Sequence, residues 1–220
     1  MKNKINHSYE ENIVVKVLAE IEKTARKEFL PSIGPIKGKI IEDVIRKHKP
    51  KNALEIGTLH GYSAILMANI LLSGQDGNKV VNSNESSSRN TVLISVEKDP
   101  KLAKIAKKNI ENSGLSDKIQ VINGDALEVI PKLKSKFDLI FLDATKMEYF
   151  KYLSLAEKYN LLNSRAVVIA DNVLIYENEM KDYLDYVRNS GNYSSRTTET
   201  TLEFSKNVKD ALEVSINIAT

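Results

Sequence analysis

Two short segments carry residue types suited to ion chemistry. Asp143 directly follows the apolar run Leu139 to Leu142, and Asp171-Asn172 directly follows the apolar run Ala166 to Ala170. Two carboxylates and an amide oxygen make a hard oxygen set suited to Mg²⁺ with several waters retained, provided that the two runs are neighbouring strands. Lys146 stands three residues after Asp143, within reach of a hydroxyl bound to such an ion, where a Lys can give up its own proton and act as a base. With Cys 0 in the whole chain, disulfides, thiol catalysis and Cys-ligated zinc are excluded. Each residue has a plainer reading when taken alone, because an Asp after a strand often caps a helix and a loop Lys is usually solvated.

Three further strand ends bear glycine or acid. The segment Glu55-Ile56-Gly57-Thr58-Leu59-His60-Gly61-Tyr62-Ser63 is an E-x-G-x-x-x-G loop, whose glycines let backbone N–H groups approach a ligand. It lacks the G-x-G-x-x-G spacing of dehydrogenases, which argues against a nicotinamide cofactor. Glu97 ends the next apolar run and is placed to accept two hydrogen bonds from a ribose diol, and Gly124-Asp125-Ala126 ends the third. Together these ends suggest a nucleoside ligand at the carboxyl edge of a sheet, where open α/β folds bind their ligands.

The elements that position these residues follow from hydrophobic period. Residues 9–28 place Ile13, Val14, Val17, Leu18, Ile21 and Ala25 at helical spacing, and Ile40, Ile41, Val44 and Ile45 repeat the pattern after a break at Pro31 to Gly38. Residues 1–48 are therefore N-terminal helices. Then come strand Ala53–Ile56, helix Gly61–Leu72, strand Val92–Val96, and a helix capped by Asp99-Pro100 with Leu102, Ile105, Ala106 and Ile110 as its buried stripe. Strand Ile119–Ile122, short helix Ala126–Leu133, strand Leu139–Leu142, helix Tyr149–Tyr159 and strand Ala166–Ala170 continue the alternation. A helix with Met180, Tyr183, Leu184 and Val187 on one face precedes two strands, a Thr-rich one near Arg196 to Phe204 and one at Leu212 to Ile218, expected to pair antiparallel. Five alternating strands specify a parallel sheet covered on both faces, so the fold class is a doubly wound, seven-stranded, mostly parallel α/β sheet with an antiparallel C-terminal strand. Residues 73–91 are rich in Ser, Asn and Gly and read as a mobile surface loop inside a single domain spanning 1–220.

The 220 residues are 42% hydrophobic and 28% charged, enough for a sizeable core, with no apolar run long enough for a membrane span. A polar N-terminus and the absence of Cys point to the cytoplasm. Residues 166–220 hold 5 Lys and Arg against 9 Asp and Glu, so the net charge of +3 rests on a basic N-terminal part. That part suits RNA or an anionic ligand, although Lys-rich helix faces are commonly just solvated. The leading amphipathic helix fits its own core and a second copy in a homodimer equally well.

Five ordered motifs then resemble the class I S-adenosylmethionine-dependent methyltransferases, and within them the metal-dependent catechol O-methyltransferase-like family. They are Leu54-Glu55-Ile56-Gly57 with Gly61-Tyr62-Ser63, Val96-Glu97-Lys98-Asp99-Pro100, Phe141-Leu142-Asp143-Ala144-Thr145-Lys146, Ala170-Asp171-Asn172-Val173, and Leu202-Glu203-Phe204. The resemblance runs from about Lys37-Gly38 to the C-terminus. It implies that Glu55, Gly57, Gly61, Tyr62 and Ser63 hold the methionine end of S-adenosylmethionine, with Asp143 also bordering it. Glu97 would hold the ribose hydroxyls, and Asp125 or its neighbours the adenine edge. Asp143, Asp171 and Asn172 would bind Mg²⁺ or another divalent cation, Lys146 would be the general base, and Glu203 would meet the second hydroxyl of a catechol-type small molecule. Relatives of this fold also methylate a hydroxylated uridine in tRNA, which makes tRNA the alternative acceptor. Where the animal catechol enzymes have His-Trp, this chain has Ala144-Thr145; Tyr176 stands for their gatekeeping Pro and Phe29 for a Trp.

Overall fold

A computed structural model describes residues 2–74, 91–203 and 205–219. The segment read as a mobile loop, 73–91, lies mostly outside these residues: Ser73 closes a helix, Gly74 caps it, and the chain is next described at Thr91. Among the described residues the strands form one seven-stranded sheet, in the order β3-β2-β1-β4-β5-β7-β6. The strands are β1 (Ala53–Ile56), β2 (Leu93–Glu97), β3 (Ile119–Asn123), β4 (Phe137–Leu142), β5 (Leu162–Ala170), β6 (Tyr193–Leu202) and β7 (Ser205–Asn217). The first five are parallel, and β7 pairs antiparallel with both β5 and β6.

The helices are α1 (Lys2–Glu28), α2 (Gly34–His48), α3 (Tyr62–Ser73), α4 (Pro100–Asn112), α5 (Ala126–Val129), α6 (Tyr149–Lys158) and α7 (Lys181–Asn189). α3 is apolar all round, as a helix must be when it is covered on every side. Ala64, Ile65, Met67, Ala68, Ile70 and Leu71 are buried beneath the sheet on one side and α1 and α2 on the other. Val14, Val17 and Ile21 of α1 join the same core, each contributing about 1.5–3 kcal/mol by leaving water. The apolar stripe of α1 at Val14, Val17 and Ile21 is thus covered by its own chain.

Several sequence expectations need correction. Ile105 is exposed, and the buried stripe of α4 is Ala103, Ala106 and Ile110. At about 100° per residue Ile105 lies roughly 130° around the helix from the centre of that stripe. The break expected at 31–38 is shorter, because Pro35 sits in the first turn of α2, where a missing N–H costs nothing. The helix expected at 126–133 tightens into a 3₁₀ turn at Ile130–Lys132. β5, β6 and β7 run longer than their apolar cores, and the last two form a hairpin that turns at Glu203. Phe204 lies outside the described residues. Several lysines of the basic N-terminal part are paired within the chain, as Lys39 with Glu42 and Asp43, Lys98 with Asp125 and Lys108 with Glu111, the pattern of a solvated helical surface. Among the described residues no helix is long and apolar enough to cross a membrane.

Candidate active site

The carboxyl ends of β1, β2, β4 and β5 meet at one edge of the sheet. β4 and β5 are neighbours in register at Leu142 and Ala170, so Asp143 and Asp171 emerge side by side, and the Asp171 N–H donates to the Leu142 carbonyl at 3.0 Å. The loop after β1 is held against the same place. The Asp143 N–H donates to the Ile56 carbonyl at 2.9 Å, and a Cβ on Gly57 would lie 2.1 Å from the Asp143 carbonyl oxygen. Gly57, with φ +99°, is therefore required by a close approach as well as by its backbone.

A cavity of about 400 Å³ opens over these ends, lined by Gly57, Tyr62, Ser63, Glu97, Asp125, Asp143 and Lys146 among others. Glu97 is set rigidly. Its Oε2 accepts from the N–H groups of Thr58 and Leu59 at 3.1 and 2.9 Å, and its Oε1 accepts from Asp99 N–H at 2.9 Å. One lone pair of Oε1 remains for a ligand hydroxyl. Asp125 lines the cavity but also caps α5, accepting from Leu127 N–H at 2.9 Å, and pairs with Lys98 at 2.7 Å. Those contacts hold its carboxyl below the usual range, the Lys98 hydrogen bond most of all. Tyr62 borders the cavity while its hydroxyl donates to Glu22 of α1 at 2.8 Å. Burial, reinforced by Glu22, keeps that phenol protonated.

Glu55 sits behind this wall, 0% exposed. The Ser95 hydroxyl donates to its Oε2, while Oε1 is buried without a hydrogen-bond partner. Burial pushes this carboxyl up to about 8, against hydrogen bonding from Ser63 and Ser95 and with the charges of Asp143 and Glu97 adding to the rise. A buried acid with one oxygen unpartnered, behind a glycine loop, fits a cationic group arriving in the cavity, as the amino group of a bound nucleoside-amino acid would.

The acidic set is built asymmetrically. Lys146 donates to Asp143 Oδ1 at 2.9 Å and to the Tyr149 hydroxyl at 2.8 Å, with its ammonium 5.2 Å from the Tyr149 ring centre. Burial and the carboxylates of Asp143 and Asp171 hold the Tyr149 phenol well above its ordinary pKa. Burial, then the nearby Asp143 carboxylate, raises Asp171, although Lys37 opposes both. Two carboxylates side by side form a pocket whose mutual repulsion a divalent cation would relieve. Asn172 has φ +64°, a left-handed conformation that Asn tolerates better than most residues. Its Nδ2 donates to Asp210 at 2.8 Å, which leaves its carbonyl oxygen as the donor atom available to an ion. Among the described residues no three His, Cys, Asp or Glu side chains gather into a metal site, so the donor set that fits an ion is the mixed one of two carboxylates and one amide oxygen.

A second cavity, of about 500 Å³, adjoins the first. Pro31, Ser32 and Asn172 line both, and Arg26, Phe29, Leu202 and Glu203 line the second alone. Glu203 is placed by α2: Ile36 N–H donates to its Oε2 at 3.2 Å. Phe29 is 91% exposed at the rim, and Tyr176 stands at the rim of the first cavity. Ten of the twelve residues singled out from sequence line these two cavities; Glu55 sits behind the wall, and Gly61 caps α3 against Ala106 of α4.

Sequence reasoning missed Lys37 and Asp210. Lys37 is 1% exposed, with Nζ 2.6 Å from Asp171 Oδ1 and 2.5 Å from Asp210 Oδ2. Burial alone would lower the Lys37 pKa, but the two carboxylates outweigh it and raise it. A signal was present, since Gly34, Lys37, Gly38, Ile41 and Ile45 fall on one helical face. A charged residue on an apolar stripe is buried only when paired.

Comparison with known proteins agrees with this geometry. The sequence profile of the O-methyltransferase family matches residues 5–216. A catechol O-methyltransferase of Bos taurus is 35% identical over 203 residues, covering 90% of this chain and 68% of that protein. Catechol O-methyltransferase B of Danio rerio is 34% identical over 206 residues, covering 91% and 71%. The crystal structure of the O-methyltransferase from Bacillus cereus, in complex with SAH, superposes with a TM-score of 0.73 at 25% identity, covering 92% of this chain and 90% of that one.

Proposed function

The chain belongs to the O-methyltransferase family, and from that premise we propose that it transfers the sulfonium methyl of S-adenosylmethionine to one hydroxyl of a small vicinal diphenol, with Mg²⁺ held by Asp143, Asp171 and Asn172. The single observation that carries this reading is the meeting of the two cavities at Asn172. A methyl donor in the first and an acceptor in the second would face each other beside the acidic set.

Gly57, Gly61 and Ser63 would admit the methionine end of the donor, Glu97 would accept from one of its ribose hydroxyls through Oε1, and Asp125 would border the adenine. When bound, a divalent cation would lower the proton affinity of the attacking hydroxyl and fix both acceptor oxygens. Lys146, held at 2.9 Å from Asp143, would take the acceptor's proton as a neutral amine, after its ammonium has given up its own proton to solvent. Glu203 would meet the second hydroxyl, its carboxylate held toward α2 by Ile36 N–H and lining the second cavity. The largest contribution is then orientation, two reactants held in line inside one wall.

The acceptor class is tested by offering labelled S-adenosylmethionine together with 3,4-dihydroxybenzoate and with an unmethylated tRNA transcript. Label in the small molecule, at a rate insensitive to moderate salt, supports the proposal. Label in the tRNA alone, falling steeply with salt as phosphate contacts do, overturns it.

A further inference from the structure

We propose that Lys37 and Asp210 form a buried clamp that selects one donor atom from each of Asp171 and Asn172 and thereby sets the affinity of the site for a divalent cation. The inference rests on the ion reading above.

The geometry is specific. The Lys37 ammonium occupies Asp171 Oδ1 at 2.6 Å, leaving Oδ2 for an ion. The same ammonium holds Asp210 Oδ2 at 2.5 Å, and that oxygen also accepts from Asn172 Nδ2 at 2.8 Å. The amide of Asn172 is therefore fixed with its carbonyl oxygen free. Asp210 Oδ1 also accepts, at 3.4 Å, from Ile175 N–H, which ties down the loop after Asn172. Both arms of the clamp converge on adjacent residues, 171 and 172, from α2 and β7, elements far apart in sequence.

Simple anchoring of α2 to the sheet does not account for this choice of residues. Apolar side chains of similar size would anchor as well without desolvating charge. Lys37 and Asp210 carry opposite charges, so the clamp adds no net charge of its own to the site. Partners that orient the ligands of a metal in this way commonly change its affinity by about 10–100-fold when removed.

The test is direct binding of Mn²⁺, followed by its electron paramagnetic resonance signal, to the wild type and to the double variant Lys37→Met/Asp210→Leu. The double variant removes both charges of the pair at once and leaves Asp171 Oδ1 and Asn172 Nδ2 without these partners. Folding is checked by binding of S-adenosylhomocysteine, whose cavity neither residue lines. The expected result is unchanged S-adenosylhomocysteine affinity with Mn²⁺ bound about 10–100-fold more weakly. The metal concentration for half-maximal rate should rise in step. If the double variant does not fold, Asp210→Asn, which can still accept one of the two hydrogen bonds, should weaken Mn²⁺ several-fold by the same readout. A folded variant that binds Mn²⁺ within twofold of wild type overturns the clamp and leaves the ion reading standing. A wild type that binds no Mn²⁺ overturns both.

Discussion

Gly34 and Glu203 meet with no room between them: a Cβ on Gly34 would lie 2.2 Å from Glu203 Cγ, at a backbone φ of +57°. Two residues further on, Ile36 N–H holds the Glu203 carboxylate, and the next residue, Lys37, reaches Asp171. The first turn of α2 thus places both the carboxylate proposed to meet the acceptor and the ligands proposed for the ion. Gly34→Ala should push Glu203 out of place, lowering kcat/KM for a diphenol by roughly tenfold or more, as small misplacements of a positioning group do. Steady-state kinetics, with S-adenosylhomocysteine binding as the control, decide it. Unaltered kcat/KM would show that Glu203 does not touch the acceptor.

Lys146→Met removes the group proposed to take the proton while keeping an unbranched side chain of similar length. kcat should fall by about 10²–10⁴-fold with little change in the affinity for the donor. Single-turnover rates at saturating substrate measure this without interference from product release. A kcat within threefold of wild type would assign the proton to another acceptor.

Glu97→Gln keeps the shape of the side chain and removes its charge. Three backbone donors converge on that carboxylate, so its loss loosens the loop at Thr58 and Leu59 as well as the expected ribose contact. Calorimetry should find S-adenosylhomocysteine bound at least about tenfold more weakly, the value of a charge-assisted hydrogen bond. Mn²⁺ binding should stay as in the wild type, because Glu97 lies at the end of β2, away from Asp171 and Asn172.

Glu55 makes ligand-free stability depend on pH. Its folded pKa, about 8, lies above its ordinary value of 4.5, so the folded state holds a proton that the unfolded chain releases. Its relative contribution is full below about pH 4.5 and is lost as pH rises toward 8. Glu55→Gln should therefore gain stability relative to wild type between pH 5 and 8. Urea midpoints of the two proteins across that range report the difference, and parallel curves would contradict the assignment.

Much of this architecture was legible in the sequence because α/β folds announce themselves in two ways. Continuous apolar runs such as Leu139 to Leu142 and Ala166 to Ala170 read as strands buried on both faces, and acids directly after them mark the ligand-binding edge. What periodicity could not resolve was direction and pairing. Lys37 looks like a surface lysine until Gly34, Ile41 and Ile45 are seen to share its face, and Asp210 looks like a turn residue until β7 is seen to start at Ser205. Ile105 failed for the opposite reason, an apolar residue left on the outside because Ala103 and Ala106 let α4 pack closely on their own side. Charged residues drawn inward by each other are long-range facts, and they surface only when the fold joins residues 37, 171 and 210.

The most direct test of the central claim is the initial rate of methyl transfer from S-adenosylmethionine to 3,4-dihydroxybenzoate and to 4-hydroxybenzoate, each with Mg²⁺, with EDTA, and with Mg²⁺ restored. Two adjacent hydroxyls and an ion are both required by the proposed site. Turnover should appear with the diphenol alone, vanish in EDTA and return with Mg²⁺. Full turnover in EDTA, or equal rates on the two acceptors, would contradict the account.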